Sequence, residues 1–167
     1  HYTTETNILK LIRPLFLDEL EDRFVRARAK KRELEKLRRE QVAAAAGSLT
    51  DQAKDVGGVT VVAANIAGGA ADDVRRMVLD TRGQLGEERP VVVALTGDGG
   101  AKPVVVVATN EAARVRGIKA GALVRVAAQT LGGGGGGKDD IAQGGGADAS
   151  KVSDALAAVE REIGGGS

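Results

Sequence analysis

GGGGGGKDDIAQGGG occupies residues 132–146, and its reading decides whether the chain holds one core or two bodies on a tether. Glycine-rich segments serve as flexible linkers, but consecutive glycines also let two backbones approach closely. The residues C-terminal to the run favour a single core. Val152, Ala155, Leu156, Val159 and Ile163 recur at helical spacing, so the last helix carries an apolar face that must be buried against the elements before the glycines.

Those earlier elements read as an α/β domain. VTVVAANI (59–66), VVVAL (91–95) and VVVVA (104–108) are β-branched, almost unbroken apolar runs, the pattern of strands covered on both faces. GDGGAK, between the second and third, reads as a hairpin connection. Val74, Met77, Val78, Thr81 and Leu85 share a helix face behind Asp72 and Asp73, which suit a helix N-terminus. A short helix is predicted from Asn110 to Gly117, and a further one through Leu123, Val126, Ala127 and Thr130 with Arg125 on its opposite face. The order of strand, helix, two strands, two helices, loop and helix predicts a small globular domain over 47–167, a mixed β-sheet flanked by helices.

Residues 1–46 differ in character and read as a helical or coiled-coil arm. From Leu17 to Ala46 the chain is charged and free of glycine and proline, and Leu17, Leu20, Phe24, Ala27 and Leu34 follow a three-four spacing. Lys31 and Arg38 interrupt that seam, so pairing of the arm with its copy is expected to be short or weak. Pro14 is expected to break or kink a short helix around residues 7–13. RARAKKR (26–32) reads as a solvated face. The terminal GGGS and His1 read as an added linker and a tag remnant.

Several chemistries are excluded. The 167 residues contain no cysteine, which removes disulfides and thiolate metal sites and points to a reducing, cytoplasmic setting. No apolar run approaches the ~20 residues that span a bilayer, so no membrane partner is expected. His1 is the only histidine, so neither a Ser-His-Asp system nor a zinc site is expected. Asp139 and Asp140, like Asp72 and Asp73, read as capping or solvated residues. The segment 132–138 matches G-x-x-x-x-G-K, but Asp139 stands where Ser or Thr would hold magnesium and the run comes after a helical pattern where a phosphate loop comes after a strand. No catalytic residue, metal or cofactor is assigned to this chain.

Charge and aromatic content narrow what remains. With 24 basic and 23 acidic residues, the chain has no general field for nucleic acid. Locally, residues 112–138 carry Arg114, Arg116, Lys119, Arg125 and Lys138 with no acid among them. Tyr2, Phe16 and Phe24 all lie in the arm, so the globular part lacks rings on which bases could stack. Glycines at positive φ could turn several N–H groups toward one anion, with Lys138 adding a charge and Gln143 an amide. Arg114, Arg116, Lys119 and Arg125 would supply further phosphate contacts if they share the face, a pattern that suits a folded RNA backbone. Equally, the glycines could be required because a helix and the sheet cross closely there.

LGGGGGGKDDIAQGGG (131–146), preceded by NEAARVRGIKAGALVRVAA (110–128) and by ELEKLRRE (33–40) ahead of VGGVTVVA (56–63), resembles the C-terminal region of bacterial alanyl-tRNA synthetases. The resemblance covers about residues 34–163, and residues 1–32 match the family pattern poorly. It implies a helical arm with a DHH-associated globular domain, a module that engages the tRNA elbow, assists oligomerisation and helps aminoacylation and editing act on one tRNA. Its implied partners are alanine-specific tRNA, the catalytic and editing domains of the synthetase, and a second copy through the arm. By position, the family's glycine motif falls on 132–137, including Gly134, Gly135, Gly136 and Gly137, its basic residue on Lys138, and its Ala-Gln-Gly element on Ala142, Gln143 and Gly144. DHH phosphoesterases, which share the domain, commonly place a histidine after the glycines; Lys138 here favours the synthetase branch. A purely structural dimerisation module and a phosphoesterase substrate-binding domain are the alternatives.

Overall fold

The structure, a computed structural model, describes residues 2–98 and 102–165, without the side chains of 2–15, 38, 42 and 43. His1, the tip of the GDGGAK connection, the end of the GGGS tail and the Arg38 side chain therefore lie outside the described residues. The chain divides into two compact units, 1–41 and 42–167.

The first unit is helix. α1 (Tyr2–Thr50) runs through Pro14, so the expected break does not occur. A proline forfeits one backbone hydrogen bond, and the turns on either side continue past that local loss. The helix ends later than the expected boundary at residue 46, inside the second unit, because Ala46 and Leu49 are buried and Leu49 joins a core cluster beneath the sheet. Arg26 to Arg32 are exposed throughout.

In the second unit six strands form one sheet in the order β1-β2-β3-β4-β6-β5. β1 (Lys54–Val56) and β2 (Val59–Ile66) form a hairpin through Gly57 and Gly58, whose φ values of 61° and 79° only glycine adopts freely. β2 runs parallel to β3 (Val91–Gly97), and α2 (Ala71–Leu85) makes the crossover. β4 (Val104–Thr109) is antiparallel to β3, as the hairpin reading required. Every residue of β3 is buried, which explains why its sequence shows a continuous apolar run in place of alternation.

Helices cover both faces. α2 and the end of α1 pack on one side, where Val62, Val93, Leu95 and Val106 meet Leu49, Val74, Met77 and Val78. α4 (Ala120–Thr130) and α5 (Val152–Gly165) pack on the other, against Val61, Val92, Val105 and Val107. On α4 the fully buried positions include Val124 and Ala128, whereas Val126 and Thr130 are half-buried, so its apolar stripe is rotated from the expected one.

Asn110 ties this layer together. It caps α3 (Glu111–Val115), its Oδ1 accepting the N–H of Ala113 at 3.0 Å and that of Val91 at 2.9 Å. Its amide donates to the carbonyls of Arg89 at 2.6 Å and Gly86 at 3.2 Å. At 1% exposure, truncation would leave buried groups unpaired. Asn110→Ala is expected to lower unfolding stability by about 2–4 kcal/mol, seen as an earlier urea midpoint with an unchanged slope.

Candidate nucleic-acid interface

The glycine run is a β-hairpin and not a loop. β5 (Gly134–Gly137) pairs antiparallel with β6 (Ile141–Gly145), and β6 pairs with β4, so the run closes the sheet at its edge. The turn is Asp139–Asp140, closed by the N–H of Lys138 donating to the carbonyl of Ile141 at 3.0 Å. This corrects the picture of glycines curled around an anion. Within the run only Gly132 has positive φ, 75°, where it ends α4. Its N–H donates to Gln129 and that of Gly133 to Ala128, at 3.0 and 2.8 Å. In an extended strand successive N–H groups alternate in direction, so those of residues 134–137 do not converge on one point.

Why the strand is glycine divides by face. A Cβ on Gly135 would sit 2.5 Å from Gly144 Cα and 2.6 Å from Val124 Cγ1, and one on Gly144 would sit 2.9 Å from the same Cγ1 and 3.0 Å from Ala128 Cβ. Gly137 would press on Ala142 at 2.6 Å, and Gly133 and Gly146 would collide with the backbone of Gly145 and Leu131. Gly135 and Gly144 are closed by the approach of α4 and Gly146 by Leu131 at its end, while Gly133 and Gly137 are closed by β6 and the residue that follows it. Gly134 and Gly136 point to the opposite face, where a Cβ would meet nothing within 4 Å. Packing leaves their lack of a side chain unexplained.

On that bare face, Gly136 lies in the floor of an open groove of about 420 Å³. Val106, Gly136 and Gln143 form its base, since Gln143 pairs with both Val106 and Gly136 across the sheet. Lys138, Asp140 and Arg75, the last from α2, rim it. Among the described residues neither Lys138 nor Arg75 is held in an ion pair, so both cations are available to an incoming anion.

The other predicted basic residues are not brought to this groove. Arg116 and Lys119 line a second recess of about 180 Å³ on the α4–α5 face, beside Val59, Leu123, Glu162 and Ile163. Arg116 Nη1 donates to the carbonyl of Gly58 at 3.2 Å, and Lys119 Nζ lies 3.3 Å from Asp139 Oδ2. Arg114 is exposed on α3, and Arg125 is exposed on α4. Sequence reasoning missed Arg75, because helical periodicity only sets it off the buried face of α2 and says nothing of the hairpin beside it. No group of three or more His, Cys, Asp or Glu among the described residues is placed to hold a metal ion, and no described helix is long and apolar enough to cross a membrane.

Comparison with known proteins converges on one family. The family model described as DHHA1 domain matches residues 58–165. An alanine–tRNA ligase of Paenarthrobacter aurescens is 52% identical over 155 residues, 92% of this chain and 17% of the relative. One of Streptomyces avermitilis is 55% identical over 133 residues, 79% of this chain and 15% of the relative. The chain thus spans less than a fifth of the curated relatives it matches. In fold it is similar to the crystal structure of the C-Ala domain from Aquifex aeolicus alanyl-tRNA synthetase, with a TM-score of 0.59 at 24% identity, over 67% of this chain and 97% of that one.

The two classes of glycine separate under substitution. Gly135→Ala is expected to destabilise by about 1–3 kcal/mol, the range for overpacking a filled site, whereas Gly136→Ala is expected to stay within about 0.5 kcal/mol of the parent. Chemical denaturation of both variants measures this directly; equal losses would mean that α4 does not set the glycine requirement.

Proposed function

The chain belongs to the DHHA1 domain family, and from that premise we propose that it is the tRNA-binding C-terminal module of an alanyl-tRNA synthetase. In this reading it is itself non-catalytic: the remainder of the parent protein supplies aminoacylation and editing, and this domain holds the elbow of an alanine-specific tRNA so that both act on one molecule. The observation that carries the reading is the bare strand face at Gly134 and Gly136. Packing does not demand glycine there, yet an RNA backbone seated on the strand does, because a side chain would hold the ribose and phosphate away.

Chemistry at the groove agrees. Lys138 and Arg75 flank exposed backbone, and Gln143 offers both a donor and an acceptor to phosphate or a 2′-hydroxyl. With no aromatic residue in the globular part, base stacking supplies little, and recognition would rest on shape and phosphate contacts. The high identity to alanine–tRNA ligases supports this reading over a phosphoesterase substrate domain.

Fluorescence anisotropy with a folded tRNA at several salt concentrations tests it. Affinity is expected to fall with salt, and Lys138→Ala or Arg75→Ala each to reduce the slope of log K against log salt by about 1. Gly136→Val, which fills the groove without touching α4, is expected to weaken binding while leaving stability unchanged. Binding insensitive to salt and to all three substitutions would overturn the reading. Loss on Arg116→Ala and Lys119→Ala alone would move the RNA to the other face.

A further inference from the structure

An acid stands in the groove where an anion site calls for none. Asp140 rims it together with Lys138 and Arg75, and Gly136 and Gln143 lie in its base. The turn itself accounts for Asp139 but not for Asp140. Asp139 lends its carboxylate to Lys119 Nζ at 3.3 Å, and its carbonyl accepts the hydroxyl of Thr109 and the N–H of Ala120. Asp140 serves the turn through its backbone alone, its carbonyl accepting the N–H of Thr109 at 2.9 Å. Its carboxylate is half-buried, yet among the described residues it accepts no hydrogen bond and forms no ion pair, although two cations share the rim. An aspartate that builds a turn bonds its own backbone; this one is left for a group outside the protein.

An ionised carboxylate can only accept, and beside a phosphate it repels. The groove would hold a bare anion better without it, so its presence marks a ligand that carries a donor next to its phosphate. In folded RNA the 2′-hydroxyl is that donor, and the A-form helix displays it along a wide, shallow minor groove. Base amino groups also donate, but the globular part has no aromatic ring to hold a base turned out of its stack. Resting on the RNA reading of this groove, we propose that Asp140 is its ribose reader. With Lys138 and Arg75 on neighbouring phosphates, the Asp140 carboxylate accepts the hydrogen of a 2′-hydroxyl, and it repels polyanions that lack one. Gln143 both donates and accepts, so it takes a phosphate or a hydroxyl alike. Discrimination therefore falls to Asp140.

A two-by-two titration separates this inference from the function it rests on. The ligands are a folded tRNA and the same tRNA made with 2′-fluoro nucleotides, which keep the phosphates and the sugar pucker but lose the hydroxyl donor. The proteins are the unchanged chain and Asp140→Ala. The unchanged chain is expected to bind the hydroxyl form about tenfold more tightly, the scale of a hydrogen bond to a charged group. Asp140→Ala is expected to lose that preference and to bind the fluoro form more tightly than the unchanged chain does. Asp140→Asn, which keeps a turn-forming residue and removes the charge, is expected to show the same gain on the fluoro form, so the effect does not hang on the turn. An equal preference in the unchanged chain and Asp140→Ala would overturn the proposal. So would a preference abolished by EDTA, which would give the acid to a bridging cation, or an Asp140→Ala chain that gains on both ligands alike, which would make the acid a mere repellent. Each of these leaves the RNA reading standing, whereas failure of the unchanged chain to bind the hydroxyl form at low salt refutes that reading and this inference together.

Discussion

The close approach of α4 to the β5–β6 hairpin is the contact on which the rest of this domain depends. Val124 and Ala128 lie so near the strands that Gly135 and Gly144 have no room for a methyl group. α4 can cover the sheet edge so closely because the strands beneath it have no side chains at Gly135 and Gly144, and β5 is held both by that cover and by its pairing with β6. Glycine is otherwise a poor strand former, losing more backbone entropy on ordering than any other residue. Burial of Val124, Ala127, Ala128 and Leu131 in the core on that side offsets the loss.

A strand without side chains is also poorly specified in register, since a slip by one residue moves no hydrophobic set from one face to the other. Contacts at both ends of the hairpin resolve this. At one end Gly132 terminates α4 and delivers the chain into β5, while the Leu131 carbonyl accepts the N–H groups of Ala147 and Asp148 at 3.0 and 3.1 Å, fixing the exit of β6. At the other, the Asp139 carbonyl accepts the N–H of Ala120 at 3.0 Å and the hydroxyl of Thr109 at 2.6 Å, anchoring the turn to the start of α4 and the end of β4. With the register pinned, Gly134 and Gly136 are committed to the face opposite α4, and Gly136 leaves the groove floor bare.

Legibility of the sequence depended on the source of each signal. β2, β3 and β4 were readable because burial on both faces writes itself as continuous β-branched runs, and α2 and α5 because one buried stripe writes itself at helical period. β1 has three residues, too few to show a period, and the hairpin through Gly57 and Gly58 went unread. β5 has no pattern at all, since its conformation is imposed by Val124 of another element. The groove was half legible: Lys138 and Gln143 are read from local position, but Arg75 enters through the strand order β4-β6-β5, which no local feature encodes. Division of the basic residues between two faces was equally hidden, because α3 and α4 are adjacent to the hairpin in sequence yet bring Arg116 and Lys119 to the far side of the sheet.

Charge is arranged differently in the two units. Within the arm, residues 16–25 and 26–35 carry opposed blocks of charge, net −3 and net +3, whose fields offset one another beyond a screening length. The groove does the reverse, setting two cations without ion pairs beside bare backbone in a unit whose remaining charges largely offset one another. Under the proposed function, a chain of net charge +1 holds a polyanion at one place without attracting it everywhere, because the local pair acts at contact distance while distant charges are screened. Affinity proposed in this way would depend on how closely a phosphate can come, and at Gly136 no side chain stands in its way. Under the proposed function the hairpin's glycines serve two contacts: on one face they admit α4, and on the other the bare strand at Gly136 admits an RNA backbone.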